Sequence, residues 1–321
     1  MDGTRGVPGR AMQIADVSIE APPDGRVAVS RAAICPGSEG TLVGLIGMGI
    51  QPSRMPALHE REGAAQGLTY IYRLVDLEVL RLGVEALPEL LVAARRFAFT
   101  GLNVTHPCKQ AIIPLLDELS PPARALGAVN TVVFEADGRL VGHNTDWSGF
   151  AESFRRELAD VPRQRVVLLG AGGAGAAVAH ALLTLGVGAL SILDTEGARA
   201  DRLAAGLRER FGEGRAIAAH DLAEAVDAAD GIVNATPVGM ANHAGMPVPC
   251  ELLRPDLWVA EIIYFPPETK LLRAARELGC RTMAGGGMAV FQAAEAFRLF
   301  TGREPDRERM TRHFATMEAL R

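Results

Sequence analysis

Aromatic residues make up only 5% of this 321-residue chain, and no basic excess accompanies them: 33 Lys and Arg stand against 38 Asp and Glu, a formal charge of −5. That balance argues against a general nucleic-acid surface, while leaving room for a local basic site for a small anion. No apolar run approaches the roughly 18 residues of a membrane-spanning helix. The N-terminus has no basic stretch leading into an apolar one, so the chain is expected to escape secretion and to be cytoplasmic. The four cysteines (Cys35, Cys108, Cys250 and Cys280) are far apart, and the seven histidines are scattered singles. Free thiols in a reducing compartment and no metal site are expected. Neither a Gly-x-Ser-x-Gly elbow nor a Walker-type phosphate loop is present.

The stretch that organises the chain is Arg165–Gly175, RVVLLGAGGAG. An apolar run, Val166–Leu169, leads into Gly170-Ala171-Gly172-Gly173-Ala174-Gly175, and an alanine-rich helical pattern follows. Gly170, Gly172 and Gly175 fit Gly-x-Gly-x-x-Gly, a weak signal alone but in the strand-to-helix context that a dinucleotide site requires. Without Cβ atoms, backbone N–H groups can close on a pyrophosphate at a helix N-terminus, where the dipole favours negative charge. Asp194 stands 24 positions beyond Gly170, at the end of the next strand pattern. A carboxylate there accepts both ribose hydroxyls of an adenosine and repels a 2′-phosphate, which predicts NAD over NADP. Arg199 is the nearest cation and offsets part of that preference.

At this length roughly two domains are expected. Residues 1–40 carry Pro8, Pro22, Pro23 and Pro36 and no sustained apolar period. They read as a mostly disordered extension, in which only Arg26–Ile34 has the makings of a pairing segment, and which can also be an over-extended start. From Thr41, strand and helix patterns alternate for about 105 residues: strands Thr41–Gly47, Tyr70–Leu77 and Gly101–Thr105, then a hairpin, Ala128–Glu135 with Arg139–His143, turning at Asp137-Gly138. Helices are expected from Pro56 to Gly67, from Glu89 to Phe97, over Cys108–Leu119, and from Asp146. The second unit, from Arg165 to Thr282, has six short strands with intervening helices, the doubly wound pattern. Helical segments from Met288 onward follow the last strand and are expected to cross back to the first unit.

Two charged residues stand where open α/β sheets hold their ligands, at carboxyl ends of strands. Lys109 begins a helix after Gly101–Thr105, where the positive end of the dipole makes a lysine unhelpful. Asp146 begins a helix after His143, a place where an Asp also serves as an N-cap. A Lys–Asp pair facing a crevice can give and take a proton beside a hydride carrier. Ser53, Asn103, Thr105, Asn130, Thr131 and Asn144 occupy comparable loop positions and suit a small polyhydroxylated ligand, although each also suits a turn or a cap. Gln292 lies in an apolar helical segment, close enough to Glu295 to be simply the border of its polar stripe.

Eight segments in order carry a family resemblance: GLIGMGIQPSRMPALH (44–59), GLNVTHPCKQ (101–110), GAVNTVV (127–133), GHNTDWSGF (142–150), GAGGAG (170–175), NATPVGM (234–240), EIIYFPPET (261–269) and GGGMAVFQAAEAF (285–297). From Thr41 to about residue 318 the chain resembles the shikimate dehydrogenases, and within them the NAD-dependent quinate/shikimate branch. The resemblance implies two α/β domains: a substrate-binding catalytic domain (41–145 plus 288–321) and a Rossmann-type dinucleotide-binding domain (146–287). It implies Lys109 and Asp146 as the catalytic pair, with Lys109 the acid and base. Ser53, Thr105, Asn130, Tyr264 and Gln292 become substrate contacts. Gly170, Ala171, Gly172, Gly173, Ala174, Asp194, Arg199, Ile262 and Gly285 become cofactor contacts. The NADP-using members carry Asn-Arg-Thr where this chain has Asp194-Thr195-Glu196, in agreement with NAD. His106 also resembles the quinate/shikimate branch.

The expected reaction is oxidation of shikimate, and also of quinate, by NAD. A homodimer is left open. One departure stands out: the family offers two hydroxyls, Ser-x-Ser or Ser-x-Thr, to the substrate carboxylate, and here the segment is Ser53-Arg54-Met55. A thioether donates no hydrogen bond. A modified substrate such as an aminoshikimate is therefore an alternative, and a catalytically silent ligand-sensing relative is another.

Overall fold

The unbroken apolar run after Gly40 becomes a strand buried on both faces, β1 (Gly40–Gly47), as parallel-sheet strands are. The computed structural model describes residues 40–319; of the extension expected over residues 1–40, Gly40 instead opens β1, and the rest, with Arg26–Ile34 and Cys35, lies outside the described residues. Helix α1 (Met55–Ala65) has Pro56 in its first turn, where the missing N–H is no loss, and β2 (Thr69–Asp76) follows. Asp76 then caps a single turn, α2 (Leu77–Leu80), by accepting from the Glu78 N–H, and α3 (Leu87–Arg96) leads to β3 (Gly101–Val104).

The helix expected over Cys108–Leu119 is not formed. It is reduced to one turn, α4 (Cys108–Ala111), a 3-10 turn at Ile113–Leu115, and a two-residue strand, β4 (Glu118–Leu119). Pro114 is the physical cause, because it lacks an N–H and its ring crowds the carbonyl of the preceding turn. A short helix, α5 (Pro121–Leu126), capped by Ser120, comes next. The expected hairpin forms as β5 (Thr131–Phe134) and β6 (Leu140–His143), and α6 (Asp146–Glu157) leaves it. The first sheet has the order β2-β1-β3-β5-β6-β4, with β5 antiparallel to both neighbours.

The second sheet is parallel throughout. Its strands are β7 (Arg165–Leu169), β8 (Ala189–Leu193), β9 (Ala216–Ala218), β10 (Gly231–Asn234), β11 (Trp258–Glu261) and β12 (Arg281–Met283). Their order is β12-β11-β10-β7-β8-β9, with crossovers that include α7 (Gly173–Thr184), α8 (Gly197–Phe211), α9 (Leu222–Asp227) and α10 (Lys270–Glu277). This is the doubly wound Rossmann-type order, and β7 lies at its switch point, so the glycine loop opens where such sheets take their ligands. Phe150 and Phe154 of α6 are buried in one core with Val166, Leu168, Val178 and Leu182. Helices α11 (Gly285–Thr301) and α12 (Arg307–Ala319) return to the first sheet: Val290, Phe297 and Phe314 share a core with Val43, Leu45, Tyr70 and Tyr72. Among the described residues no helix is long and apolar enough to cross a membrane.

Candidate active site

Lys109 and Asp146 meet. After β3, the Thr105 N–H donates to Ile46 O, the Cys108 N–H donates to Thr105 O, and the Lys109 carbonyl accepts from Val129 N–H, so the start of α4 is tied to β1 and to the segment leading into β5. Lys109 Nζ donates to Asp146 Oδ2 at 2.6 Å, and the two side chains are 22% and 12% exposed. The N-cap role that Asp146 could have had is not taken, because Asp146 is the first residue of α6 and its own N–H donates to Asn144 Oδ1. Its carboxylate is left for the site, and Asn130 Nδ2 donates to the other oxygen, Oδ1, at 2.8 Å. Asn130 is oriented in turn by the Thr145 N–H and the Thr131 hydroxyl, both donating to its Oδ1 at 2.7 and 3.0 Å.

Gln292 reaches this centre from α11, although 147 residues separate it from Thr145, whose hydroxyl donates to Gln292 Oε1 at 3.4 Å. Gly149 permits the approach: a Cβ there would stand 2.7 Å from the Gln292 amide nitrogen and 2.8 Å from Met288 O. Gln292 Nε2 donates to Ala289 O and to Met55 Sδ, at 3.1 and 3.3 Å. Met55 is buried, and its N–H donates to Ser53 Oγ at 3.3 Å. Beside it, the Arg54 guanidinium lies 5.8 Å from the ring centres of Phe265 and Phe314, and Tyr264 packs edge-on against Phe314. Lys109, Asp146 and Asn130 are thus joined directly, Gln292 through Thr145 and Ser53 through Gln292 and Met55, while Tyr264 stands apart with the Arg54 group.

Thr105 and Lys109 line one cavity of about 780 Å³ together with Ala171, Gly172, Gly173, Ala174 and Arg199. Gly170 (φ 97°) has the left-handed backbone that favours glycine, and a Cβ on Gly175 would lie 2.0 Å from Gly170 O, so these two glycines shape the turn. Gly172 and Gly173 differ, since a Cβ on either would meet nothing within 4 Å. Asp194 Oδ2 accepts from the Ala171 N–H at 2.7 Å, and Oδ1 from the Glu196 N–H at 2.9 Å. Burial works against its charge, but these N–H groups and nearby Arg199 outweigh it, and the Asp194 carboxyl stays below its ordinary range. Arg199 is ion-paired to Glu196 at 2.8 Å.

Gly285 lies close under the chain that follows β11, where a Cβ would stand 2.4 Å from the carbonyl oxygens of Ile262 and Ile263. The same segment is fixed by Glu261, fully buried, whose carboxylate accepts from Asn234 Nδ2, the Ile263 N–H and the Thr269 hydroxyl. Its burial pushes the Glu261 carboxyl up to about 7. Sequence reasoning passed over two further cations on the cavity wall, Arg202 and Arg210. Three and eleven positions beyond Arg199, they share its face of α8, which was the available signal.

Residues 45–132 match the pattern of the shikimate dehydrogenase substrate binding domain, and residues 285–313 that of the shikimate 5′-dehydrogenase C-terminal domain. A shikimate dehydrogenase (NADP(+)) of Streptomyces avermitilis is 62% identical over 278 residues, 86% of this chain and 95% of that protein. A quinate/shikimate dehydrogenase (NAD(+)) of Corynebacterium efficiens is 51% identical, over 86% and 98%. Among solved structures, quinate dehydrogenase from Corynebacterium glutamicum in complex with NAD superimposes with a TM-score of 0.81 at 47% identity, over 86% and 99% of the two chains. With its two-sheet fold and these relatives, the chain belongs to the shikimate dehydrogenase family of oxidoreductases, which act on a hydroxyl group with NAD(P).

Proposed function

We propose that the chain oxidises shikimate reversibly to 3-dehydroshikimate, that quinate is its second substrate, and that NAD is the preferred carrier. Residues 41–145 with 288–321 form the substrate-binding part, and 146–287 bind the dinucleotide. The observation that carries this is the Lys109–Asp146 pair, 2.6 Å apart, whose lysine lines the same cavity as the glycine loop. The loop fits a pyrophosphate: its Gly172 and Gly173 have open space where side chains would stand, and α7 starts there.

When bound, the nicotinamide supplies the hydride acceptor or donor. The chain's own residues handle the proton. In oxidation Lys109 Nζ takes the hydroxyl proton as the carbon gives up its hydride; in reduction the ammonium returns a proton to the oxygen. Asp146 holds Nζ in line, and Asn130 holds Asp146. Thr105, Asn130, Tyr264 and Gln292 contact the small polyhydroxylated carboxylate, and Ser53 stands at its carboxylate end. Gly170, Ala171, Gly172, Gly173, Ala174, Asp194, Arg199, Ile262 and Gly285 contact the cofactor. The preference for NAD rests on the Asp194 carboxylate; the relative named for NADP(+) is a reason to test it, and Arg199 and Arg202 are the cations a 2′-phosphate would meet.

Met55 favours a second reading, a dehydrogenase of a modified substrate such as an aminoshikimate. One panel separates the two: shikimate, quinate and an aminoshikimate, each with NAD and NADP, followed by the absorbance of the reduced nicotinamide. Lys109→Ala should bind NAD normally and lose turnover by orders of magnitude; turnover near wild type would overturn its role. No reduction of either cofactor by any of the three would favour the silent relative.

A further inference from the structure

Tyr72 of β2 was not singled out by its sequence. Its ring is buried beside His59, with centroids 5.0 Å apart, and its hydroxyl donates to Asn103 Oδ1 at 2.8 Å. The sheet register explains the reach. Tyr72 pairs with Val43 of β1 and Asn103 with Leu45, two positions on, so both side chains leave the same face and the phenol spans β1. Asn103 also lies directly opposite Thr131 of β5. Its Nδ2 donates to Thr131 Oγ1 at 3.1 Å, and the Thr131 hydroxyl donates to Asn130 Oδ1 at 3.0 Å. Asn130 Nδ2 then donates to Asp146 Oδ1 at 2.8 Å, while Lys109 Nζ donates to Oδ2 at 2.6 Å.

We propose that Tyr72 is a positioning residue for the Lys109–Asp146 pair, acting through Asn103, Thr131 and Asn130. The proposal rests on that pair being the acid–base pair. Four hydrogen bonds in series run with one donor direction, from the phenol to the carboxylate. Direction matters because the Asn103 amide has two orientations of nearly the same shape. With its oxygen toward Thr131 it would draw the hydroxyl proton to itself and away from Asn130. The phenol proton, which must find an acceptor when buried, keeps that oxygen on the Tyr72 side, helped by the Asn130 carbonyl, which accepts from Asn103 Nδ2 at 3.4 Å. Burial also raises the Tyr72 phenol above its ordinary range, so it stays a donor. Asn130 is held independently by the Thr145 N–H, so loss of the relay loosens it without releasing it.

The test uses Tyr72→Phe, Thr131→Val, the double variant and Lys109→Ala in the full chain, assayed with NAD and the best substrate of the panel below each variant's melting temperature. The loss of one hydrogen bond in the series should lower kcat by about fivefold in Tyr72→Phe. The KM for NAD should not move, which a general loosening of the fold would not respect. Thr131→Val should lower kcat at least as much, and the double variant no further, since both cut one series. A wild-type kcat in Tyr72→Phe, or a double-variant loss equal to the product of the single losses, would overturn the relay. Turnover surviving in Lys109→Ala would overturn the acid–base reading beneath it; turnover lost there but intact in Tyr72→Phe would overturn the relay alone.

Discussion

Gln292 donates its amide proton to the sulfur of Met55, 237 residues away in the chain, at a nitrogen-to-sulfur distance of 3.3 Å. The thioether is therefore an acceptor that, with the Ala289 carbonyl, fixes the Gln292 amide with its oxygen toward Thr145, at the position where the family resemblance implies a second hydroxyl. A hydrogen bond to a charged group is worth about 1.5–3 kcal/mol. Met55→Thr should accordingly lower the KM for shikimate by about tenfold or more. It should change kcat less, since the added contact is made in ground and transition states alike. If steady-state kinetics show KM unchanged or raised, the carboxylate is held elsewhere, and Arg54 becomes the residue to examine.

Asp194 bonds the Ala171 N–H, so the carboxylate at the end of β8 and the glycine loop after β7 form one unit. Asp194→Ala should cut the ratio of kcat/KM for NAD to that for NADP by about tenfold or more, through loss of ribose contacts and of repulsion toward a 2′-phosphate. Because the same change frees the Ala171 N–H, the KM for both cofactors should also rise. An unaltered ratio would remove Asp194 from cofactor choice.

Gly149 and Gln292 mark where α6 and α11 nearly touch. Gly149→Ala would put a Cβ against backbone atoms that a rotamer change cannot move. Overpacking of this kind costs about 1–3 kcal/mol. Thermal denaturation should report the loss, and kcat should fall with it, because α6 carries Asp146 and α11 carries Gln292. A variant with wild-type stability would mean that the two helices separate without strain.

Much of this was legible in the chain. The glycine loop and the six short strands are local patterns, and the switch-point rule follows from topology, so Gly170, Asp194 and the cavity mouth could be placed from the sequence. Lys109 and Asp146 were legible as charges at strand ends that could pair across a crevice, and the structure brings them to 2.6 Å. What stayed hidden depends on register and on distance. Tyr72 reads as an ordinary strand aromatic until the pairing of β1 with β2 and β3 aligns it with Asn103. Gln292, marked by the family resemblance alone, borders a polar stripe on its own pattern until the crossing at Gly149 brings it to Thr145. The helix expected over Cys108–Leu119 breaks at Pro114, which a run of helix-compatible residues on either side does not override.

Glu261 and His59 make opposite demands on pH. Burial is the cause of both shifts: Glu261 is pushed up from 4.5 to about 7, and His59 is pushed down from 6.5 to about 3. For Glu261 the folded state binds the proton that the unfolded chain has released, so its contribution is complete below pH 4.5 and disappears as the pH rises through about 7. For His59 the unfolded chain binds the extra proton, so its contribution is present above pH 6.5 and is lost as the pH falls toward about 3. Each slope is about 1.4 kcal/mol per pH unit at most. Between pH 4.5 and 6.5 these two contributions oppose each other. Glu261→Gln keeps a neutral group against Asn234 and Thr269 and should expose the histidine slope, with stability rising with pH. His59→Gln should tilt the profile the other way, its slope against pH more negative than that of wild type. Denaturant titrations across that window measure both, and a Glu261→Gln profile parallel to wild type would show that the folded protein does not hold this proton.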